Sequence, residues 1–327
     1  MNAVKTRILT LAIGLIFSTL STAQDAHFSQ YYANPIYLNP AFAGLERCPT
    51  VHSNYRNQYP ELGVYQSYSA SYDQYVDKLN GGVAVMALKD DAGNGALNLT
   101  EVSGVYSYHL EVNRHFTLLS GFQATFRQRS IDWNSFTFPD MIDPFYGFVL
   151  PTGEQTPSSS VTYPNFNAGW VMYTSKFYMG FAAHNVNQPN WSFYKNPDEI
   201  LPVRLTVHAG GVIPMTRSRF EENNFSPNVL FMKQRNFTQL NLGFYANKGP
   251  LVTGLWFRQT FGAYKNSDAI IMLVGFRKNR FKFGYSYDFT VSDGRSAIPS
   301  SHEISATIDW CVPPGRTPFK PLHCPEF

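Results

Sequence analysis

Much of the chain alternates apolar and hydrophilic residues one by one. Phe281, Phe283, Tyr285, Tyr287 and Phe289 are interleaved with Lys282, Gly284, Ser286 and Asp288. Ile304, Ala306, Ile308 and Trp310 alternate with Glu303, Ser305, Thr307 and Asp309. Val102, Tyr106, Tyr108 and Leu110 oppose Ser103, Ser107, His109 and Glu111, and Leu240, Leu242 and Phe244 oppose Gln239, Asn241 and Gly243. Phe116, Leu118, Phe122, Ala124 and Phe126 form one more such face, against Thr117, Gly121, Gln123, Thr125 and Arg127. A period of two is the signature of a β-strand. Past the first two dozen residues no apolar run is long enough for a transmembrane helix. The pattern predicts fourteen strands, beginning near Val51, Tyr65, Gly82, Leu97, His115, Val161, Lys176, Val203, Pro227, Asn236, Leu251, Asp268, Arg280 and Ser301.

Alternation alone also suits a secreted β-sandwich with one face in water. Here the apolar faces are rich in Phe and Tyr, and the opposite faces carry Gly, Ser, Thr, Asn and Gln rather than Lys and Glu. Such strands have lipid on one side and a crowded polar lumen on the other. Lipid cannot satisfy an open strand edge, so the sheet must close. The expected fold is all-β: an antiparallel transmembrane outer-membrane β-barrel of about 14 strands over residues 50–311.

An even strand number returns both ends of the barrel to the periplasm. Connections after even strands should then be the short ones. Glu111–Arg114, Thr174–Ser175, Asn247–Pro250 and Lys278–Asn279 are tight and polar and follow even strands, whereas Ile131–Ser160, Asn187–Pro202 and Asp293–Ser300 are long and follow odd ones. Two connections depart from the rule, the short Gln234–Arg235 turn on the outer side and the long Thr216–Phe225 connection on the inner side.

Composition strengthens the membrane reading. Charged residues make up 15% of the chain, against about 25% in an average soluble domain. Aromatic residues make up 16%, with 27 Phe and 20 Tyr, as a lipid-facing surface with aromatic belts requires. The N-terminus has the order of a secretory signal: Lys5 and Arg7, the apolar stretch Ile8–Leu20, then Ser21-Thr22-Ala23, with cleavage expected before Gln24. The competing membrane anchor would need a longer apolar stretch. Removing residues 1–23 takes two basic residues and no acid, leaving 24 Lys and Arg against 23 Asp and Glu. No basic footprint for nucleic acid results.

Export implies an oxidising compartment, and there are three cysteines, Cys48, Cys311 and Cys324, without metal-ligand spacing. Closing fourteen strands sets the first beside the last, so Cys48 and Cys311 fall at the periplasmic rim of one seam, within disulfide reach. Cys48–Cys324 and Cys311–Cys324 stay open, because the proline-rich tail 312–327 is able to fold back; that tail is expected to be periplasmic. Residues 24–49 are expected to form a periplasmic extension. Proline fixes its own φ and pushes its predecessor to extended geometry, so Tyr31, Asn34, Pro35, Asn39 and Pro40 mark an irregular segment. It would be a plug in the lumen or a docking strip for a periplasmic partner, or else a cover for the barrel floor.

At this point the residues resemble a known family. Phe28-Ser29-Gln30-Tyr31, Asn34-Pro35 and Asn39-Pro40-Ala41-Phe42-Ala43-Gly44 form an N-terminal signature. Tyr55-Arg56-Asn57-Gln58-Tyr59-Pro60, Ser71-Tyr72-Asp73, Gly254-Leu255-Trp256-Phe257-Arg258, Gly284-Tyr285-Ser286-Tyr287-Asp288 and Ser301-His302-Glu303-Ile304-Ser305 follow. Together these are similar to the PorP/SprF outer-membrane proteins of Bacteroidota, over essentially the whole mature chain. The resemblance implies a barrel serving the type IX secretion system and gliding motility, in export or surface attachment of a large secreted protein. Its implied partners are a gliding adhesin or other cargo with a type B C-terminal domain, and periplasmic OmpA-like or motor-associated components.

Two outer loops are the binding candidates. Phe136, Phe138, Phe145, Tyr146 and Phe148 lie between prolines in the Ile131–Ser160 connection, and Trp191, Phe193 and Tyr194 lie in Asn187–Leu201. Exposed apolar clusters of this kind mark interaction sites; the alternative is a loop folded inward over its own lumen. Arg56, Arg127, Arg129 and Arg258 should point inward and pair with acids such as Asp73, Asp288 and Glu303, and His184 could share that lumen. Neither His184 nor Asp140, Asp143 and Glu154 belong to a nucleophile–base constellation, so no enzyme and no cofactor is expected. The main rival is a passive porin or small-solute channel, which would need an open, water-filled lumen where surface anchoring predicts a filled one.

Overall fold

The computed structural model describes residues 27–60, 65–113, 115–143, 145–154, 156–174, 176–194, 196–215, 223–261, 268–291 and 300–311. Fourteen strands run through them. They are β1 (Thr50–Gln58), β2 (Tyr65–Val76), β3 (Gly81–Ala92), β4 (Leu97–Asn113), β5 (Phe116–Ile131), β6 (Ser160–Tyr173) and β7 (Phe177–His184). The second half comprises β8 (Arg204–Gly211), β9 (Asn224–Gln234), β10 (Phe237–Lys248), β11 (Leu251–Phe261), β12 (Ala269–Lys278), β13 (Phe281–Thr290) and β14 (Ser301–Asp309). Each pairs antiparallel with its neighbours in sequence, and β1 pairs with β14 from Thr50↔Asp309 to Gln58↔Ser301, so the sheet closes. No strand edge is left for lipid to satisfy.

Every strand but one starts within a residue of its expected position. The exception is β9, which begins at Asn224, and Pro227 pairs with Phe244 inside the strand rather than opening it. The Arg235–Asn236 turn after β9 is as tight as the sequence implied: Gln234 pairs with Phe237, and Arg235 takes a left-handed φ of 50°.

The alternation sorts residues as the lipid-and-lumen reading requires. Tyr72, Val85, Val102, Tyr106, Phe122, Phe126, Leu242, Met272, Phe283 and Ile304 are exposed on the outside of the wall. Asn54, Ser69, Ser103, Ser107, Gln123, Asn241, Ser286 and Ser305 are buried on the inside. The two longest connections, 132–159 and 185–203, lie at one end of the barrel, which is the outer end in proteins of this architecture, while the connection 212–223 stays long at the inner end, as the sequence implied.

The principal apolar core of the molecule lies inside the barrel. Tyr31, Tyr32, Leu38 and Phe42 from the N-terminal segment pack against Leu119, Val171, Leu230, Tyr245, Trp256 and Ile271 of the wall. Each large side chain removed from water this way contributes about 1.5–3 kcal/mol. Segment 27–49 therefore runs within the barrel, as the lumen plug among its three alternatives would, rather than extending below it. The Asn-Pro pairs are the local cause. Asn39 is extended, as a residue before proline should be, but Pro35 and Pro40 each open a helical turn, Pro35–Leu38 and Pro40–Phe42. Proline suits the first position of a turn because its missing N–H has no partner there in any case, and the Asn39 side chain accepts the Ala41 N–H at 2.9 Å. The segment is thus a compact column, short enough in section to fit the lumen.

Candidate functional site

The column descends from the outer half of the lumen to the periplasmic rim, and the wall binds it at every level. At the top His27 Nε2 lies 2.9 Å from Gln239 Oε1. One level down, the Glu303 carboxylate of β14 accepts the Ser29 N–H at 2.6 Å and the Gln30 N–H at 3.1 Å. Gln30 donates its amide to the Glu303 carbonyl at 2.9 Å and accepts the Ser305 hydroxyl at 2.6 Å. Tyr31 donates to Asn241 at 2.7 Å, and Asn34 donates to Ser69 at 3.1 Å. Asn39 reaches the carbonyls of both Trp170 and Phe181 at 3.2 Å. Near the bottom Ser107 donates to the Ala41 carbonyl at 2.7 Å, His109 Nε2 lies 3.0 Å from the Ala43 carbonyl, and Asp73 accepts the Gly44 N–H at 2.8 Å.

These partners sit on β2, β4, β6, β7, β10 and β14, so the column is tied to the full circumference. Its polar backbone, which a sequence reading assigns to water, is satisfied by inward-facing side chains, as burial demands. The wall is cut away to admit it. A Cβ on Gly82 would lie 1.9 Å from the Ala43 oxygen, one on Gly121 2.3 Å from the Ala41 nitrogen, and one on Gly169 2.0 Å from Asn39 Oδ1.

A buried charge cluster holds the upper level. Arg56 on β1 pairs with Asp288 at 2.9 Å and with Glu303 at 3.2 Å, and Arg258 on β11 pairs with the same Asp288 oxygen at 3.0 Å. The Ser29 hydroxyl bridges this cluster, accepting from Arg258 and donating to Asp288, both at 2.6 Å. Two arginines thus meet two carboxylates, with the column's serine between them. Of the other two arginines, one pairs with an acid that the sequence reading did not name and one lies over aromatic rings instead. Arg127 pairs with Glu101 at 2.8 Å, and the Arg129 guanidinium lies over the rings of Trp191 at 4.2 Å and Phe193 at 5.2 Å. Asp73 instead faces His52 at 3.4 Å. The reason is register: Glu101 and Arg127 are direct partners on adjacent strands, as are Arg56 and Glu303. His184 is buried inside the barrel.

At the foot of the column Cys48 is bonded to Cys311 with the Cα atoms 5.0 Å apart, which closes the β1–β14 seam at the periplasmic rim. Cys324, the tail 312–327 and the signal sequence lie outside the described residues.

The outer loops divide into two kinds. Phe145 is 91% exposed and Tyr146 80%, at the tip of a miniature hairpin in which Ile142 and Asp143 pair with Phe148 and Gly147. Phe148 and Phe136 are also exposed, while Phe138 is half-buried. In the other loop Trp191 and Phe193 turn toward the lumen mouth and Arg129, leaving Tyr194 in the open. Tyr31, Asn34, Asn39 and Pro40 are buried in the column and Pro35 is largely so. The sequence reading missed Ser29, Gln30 and Glu101. The signal for the first two was available: Phe28, Tyr31, Tyr32, Ile36, Tyr37, Leu38 and Phe42 are too many large apolar residues for a segment left in water. Among the described residues no group of three or more His, Cys, Asp or Glu could hold a metal ion.

Residues 20–308 match the sequence model of a family described as type IX secretion system membrane protein PorP/SprF. The chain belongs to the PorP/SprF family. PorP/SprF membership implies a role in type IX secretion and makes secretion components its natural partners. The PorP/SprF family is one of membrane proteins, and the closed barrel with its exposed apolar outer face places this member in the outer membrane. No curated protein sequence matches the chain. Among solved structures it is similar to the outer membrane protein Omp33 of Acinetobacter baumannii, at 8% identity and a TM-score of 0.46, covering 82% of this chain and 100% of that one. The toluene transporter TbuX of Ralstonia pickettii gives 10% identity and a TM-score of 0.46, with 88% and 94% coverage. A KdgM porin gives 9% and 0.36, with 80% and 99% coverage.

Proposed function

We propose that this PorP/SprF barrel supports the export and cell-surface anchoring of a large secreted protein, such as a gliding adhesin with a type B C-terminal domain. OmpA-like or motor-associated components would meet its periplasmic face. The observation that carries this reading is the packed column. Gln30, Asn39, Ile36, Ala41 and Ala43 are fully buried at the centre of the lumen, a filling that suits a rigid scaffold and opposes free passage of solute. What the barrel then offers the outside is its long loops. Phe145 and Tyr146 supply rigid aromatic area of the kind enriched where proteins meet. The role is adhesive and steric, and requires no covalent chemistry.

Affinity purification of the full protein in mild detergent, with mass spectrometry of what accompanies it, tests the proposal. A large surface protein should copurify, and its absence would sink the anchoring role. Conductance in planar bilayers tests the rival. The purified barrel should be silent, and large stable channels would establish a passive porin instead.

A further inference from the structure

Above the column the lumen widens into a blind cavity of about 470 Å³, ringed by the outer ends of the strands. That volume lies within the usual range for small-ligand sites. Its floor is the column, at His27, together with the Arg56–Arg258–Asp288 cluster. The packed column fills the lumen beneath it, which makes the cavity a socket rather than a path.

Four arginines line this socket, and three are already neutralised by carboxylates, as described above. Arg129 differs. Its guanidinium is in none of those pairs and is held over Trp191 at 4.2 Å and Phe193 at 5.2 Å, with the Glu199 carboxylate acting on it only at longer range. A guanidinium fixed on aromatic faces keeps its planar fork free for a carboxylate. Leucines line part of the wall, and Ser67, Asp90 and Thr290 are among the polar residues that line the rest. Leu99 is the cross-strand partner of Arg129, and Leu97, Leu201 and Tyr163 line the same cavity.

From this we infer that the socket binds an acidic peptide segment, one carboxylate meeting Arg129 while a neighbouring apolar side chain fills the leucine-lined wall. A charged sugar would bring its own carboxylate, but the hydroxyls it set against Leu97, Leu99 and Leu201 would lie unpaired, which burial penalises. The choice of a peptide also rests on the proposed anchoring role, which puts a large protein at this mouth.

The test uses the purified barrel in detergent micelles and isothermal titration with N-acetylated, C-amidated Glu-Tyr-Glu and with its neutral counterpart, Gln-Tyr-Gln blocked at both ends. The acidic peptide should bind at least about tenfold more tightly, as a charge-assisted hydrogen bond implies. Arg129→Gln should abolish the difference. Trp191→Ala, in a loop outside the strands, should weaken the acidic peptide several-fold and serves if Arg129→Gln does not fold. Equal binding of the two peptides, or binding unchanged in the variants, would overturn the inference. Tighter binding of glucuronic acid than of the acidic peptide would replace the peptide by a sugar. Copurification keeps the two proposals apart. If the wild-type barrel retains a surface protein and Arg129→Gln retains it equally, the socket is not the point of attachment, although anchoring stands. If the wild type retains none, anchoring fails, and the titration still decides whether the socket binds acids.

Discussion

The Glu303 carboxylate receives the Ser29 N–H at 2.6 Å, joining the last strand of the barrel to the column inside it. The same carboxylate lies 3.2 Å from Arg56 on the first strand. One side chain therefore fastens the seam and the column together. Glu303→Gln should leave Arg56 short of compensation in a buried site, where breaking an ion pair costs about 3–5 kcal/mol. The expected outcome is a marked fall in the temperature at which the barrel loses its fast, folded migration on a gel. Unchanged migration would show that the cluster does not hold the seam.

Gly121→Ala sets a methyl group against the backbone of Pro40 and Ala41, whose nearest atoms lie 2.3 to 2.6 Å from that position. Overpacking of this kind costs about 1–3 kcal/mol or more. The barrel wall is tied on both edges, so the column should give way first. Ion conductance should appear in bilayers where the parent protein has none. Gly104→Ala meets nothing within 4 Å and serves as the silent control.

The Cys48–Cys311 bond spans 263 residues of sequence. In the chain-entropy account a loop of this size corresponds to about 5.5 kcal/mol of stabilisation. Here the nine paired positions of β1 and β14 already hold the seam, so the loss should fall below that figure. The Cys48→Ser, Cys311→Ser variant should still fold, with a lower midpoint of heat-modifiable migration. Cys324→Ser should leave the midpoint where it was, and a shift in it would point to a second pairing.

Phe145 and Tyr146 stand free of the barrel. Exposed substitutions away from packed features usually change stability by less than about 0.5 kcal/mol. Replacing both by Ser should therefore leave the heat-modification midpoint alone while reducing the surface protein that copurifies with the barrel. Full retention of that protein would remove this hairpin from the interface.

Legibility along the chain follows the range of the interactions. Phe281 to Asp288 declare an outer and an inner face because neighbouring residues on a strand point to opposite sides, so the strands and their partition could be counted from sequence. The disulfide was narrowed to one favoured pairing by the same count, since closure brings the ends of first and last strands together. Arg127 was assigned to the lumen and to an acid there, but Glu101 went unnamed, because that partner follows from the β4–β5 register rather than from composition. The column was left undecided between lumen and periplasm for a related reason. Asn34-Pro35 and Asn39-Pro40 look equally irregular in water and in a lumen, and only the surroundings distinguish the two.

The sequence by itself determined an exported, closed, lipid-facing sheet of fourteen strands, because each step of that inference depends on adjacent residues and on what lipid forbids. Only the tertiary structure decided that residues 27–48 fill the barrel. The groups that hold the column, Glu303, Asn241, Ser107 and the carbonyls of Trp170 and Phe181, stand 66 to 274 residues away along the chain. Hydrogen bonds over such separations leave no local period, and they exist only once the wall has closed around its own N-terminal segment.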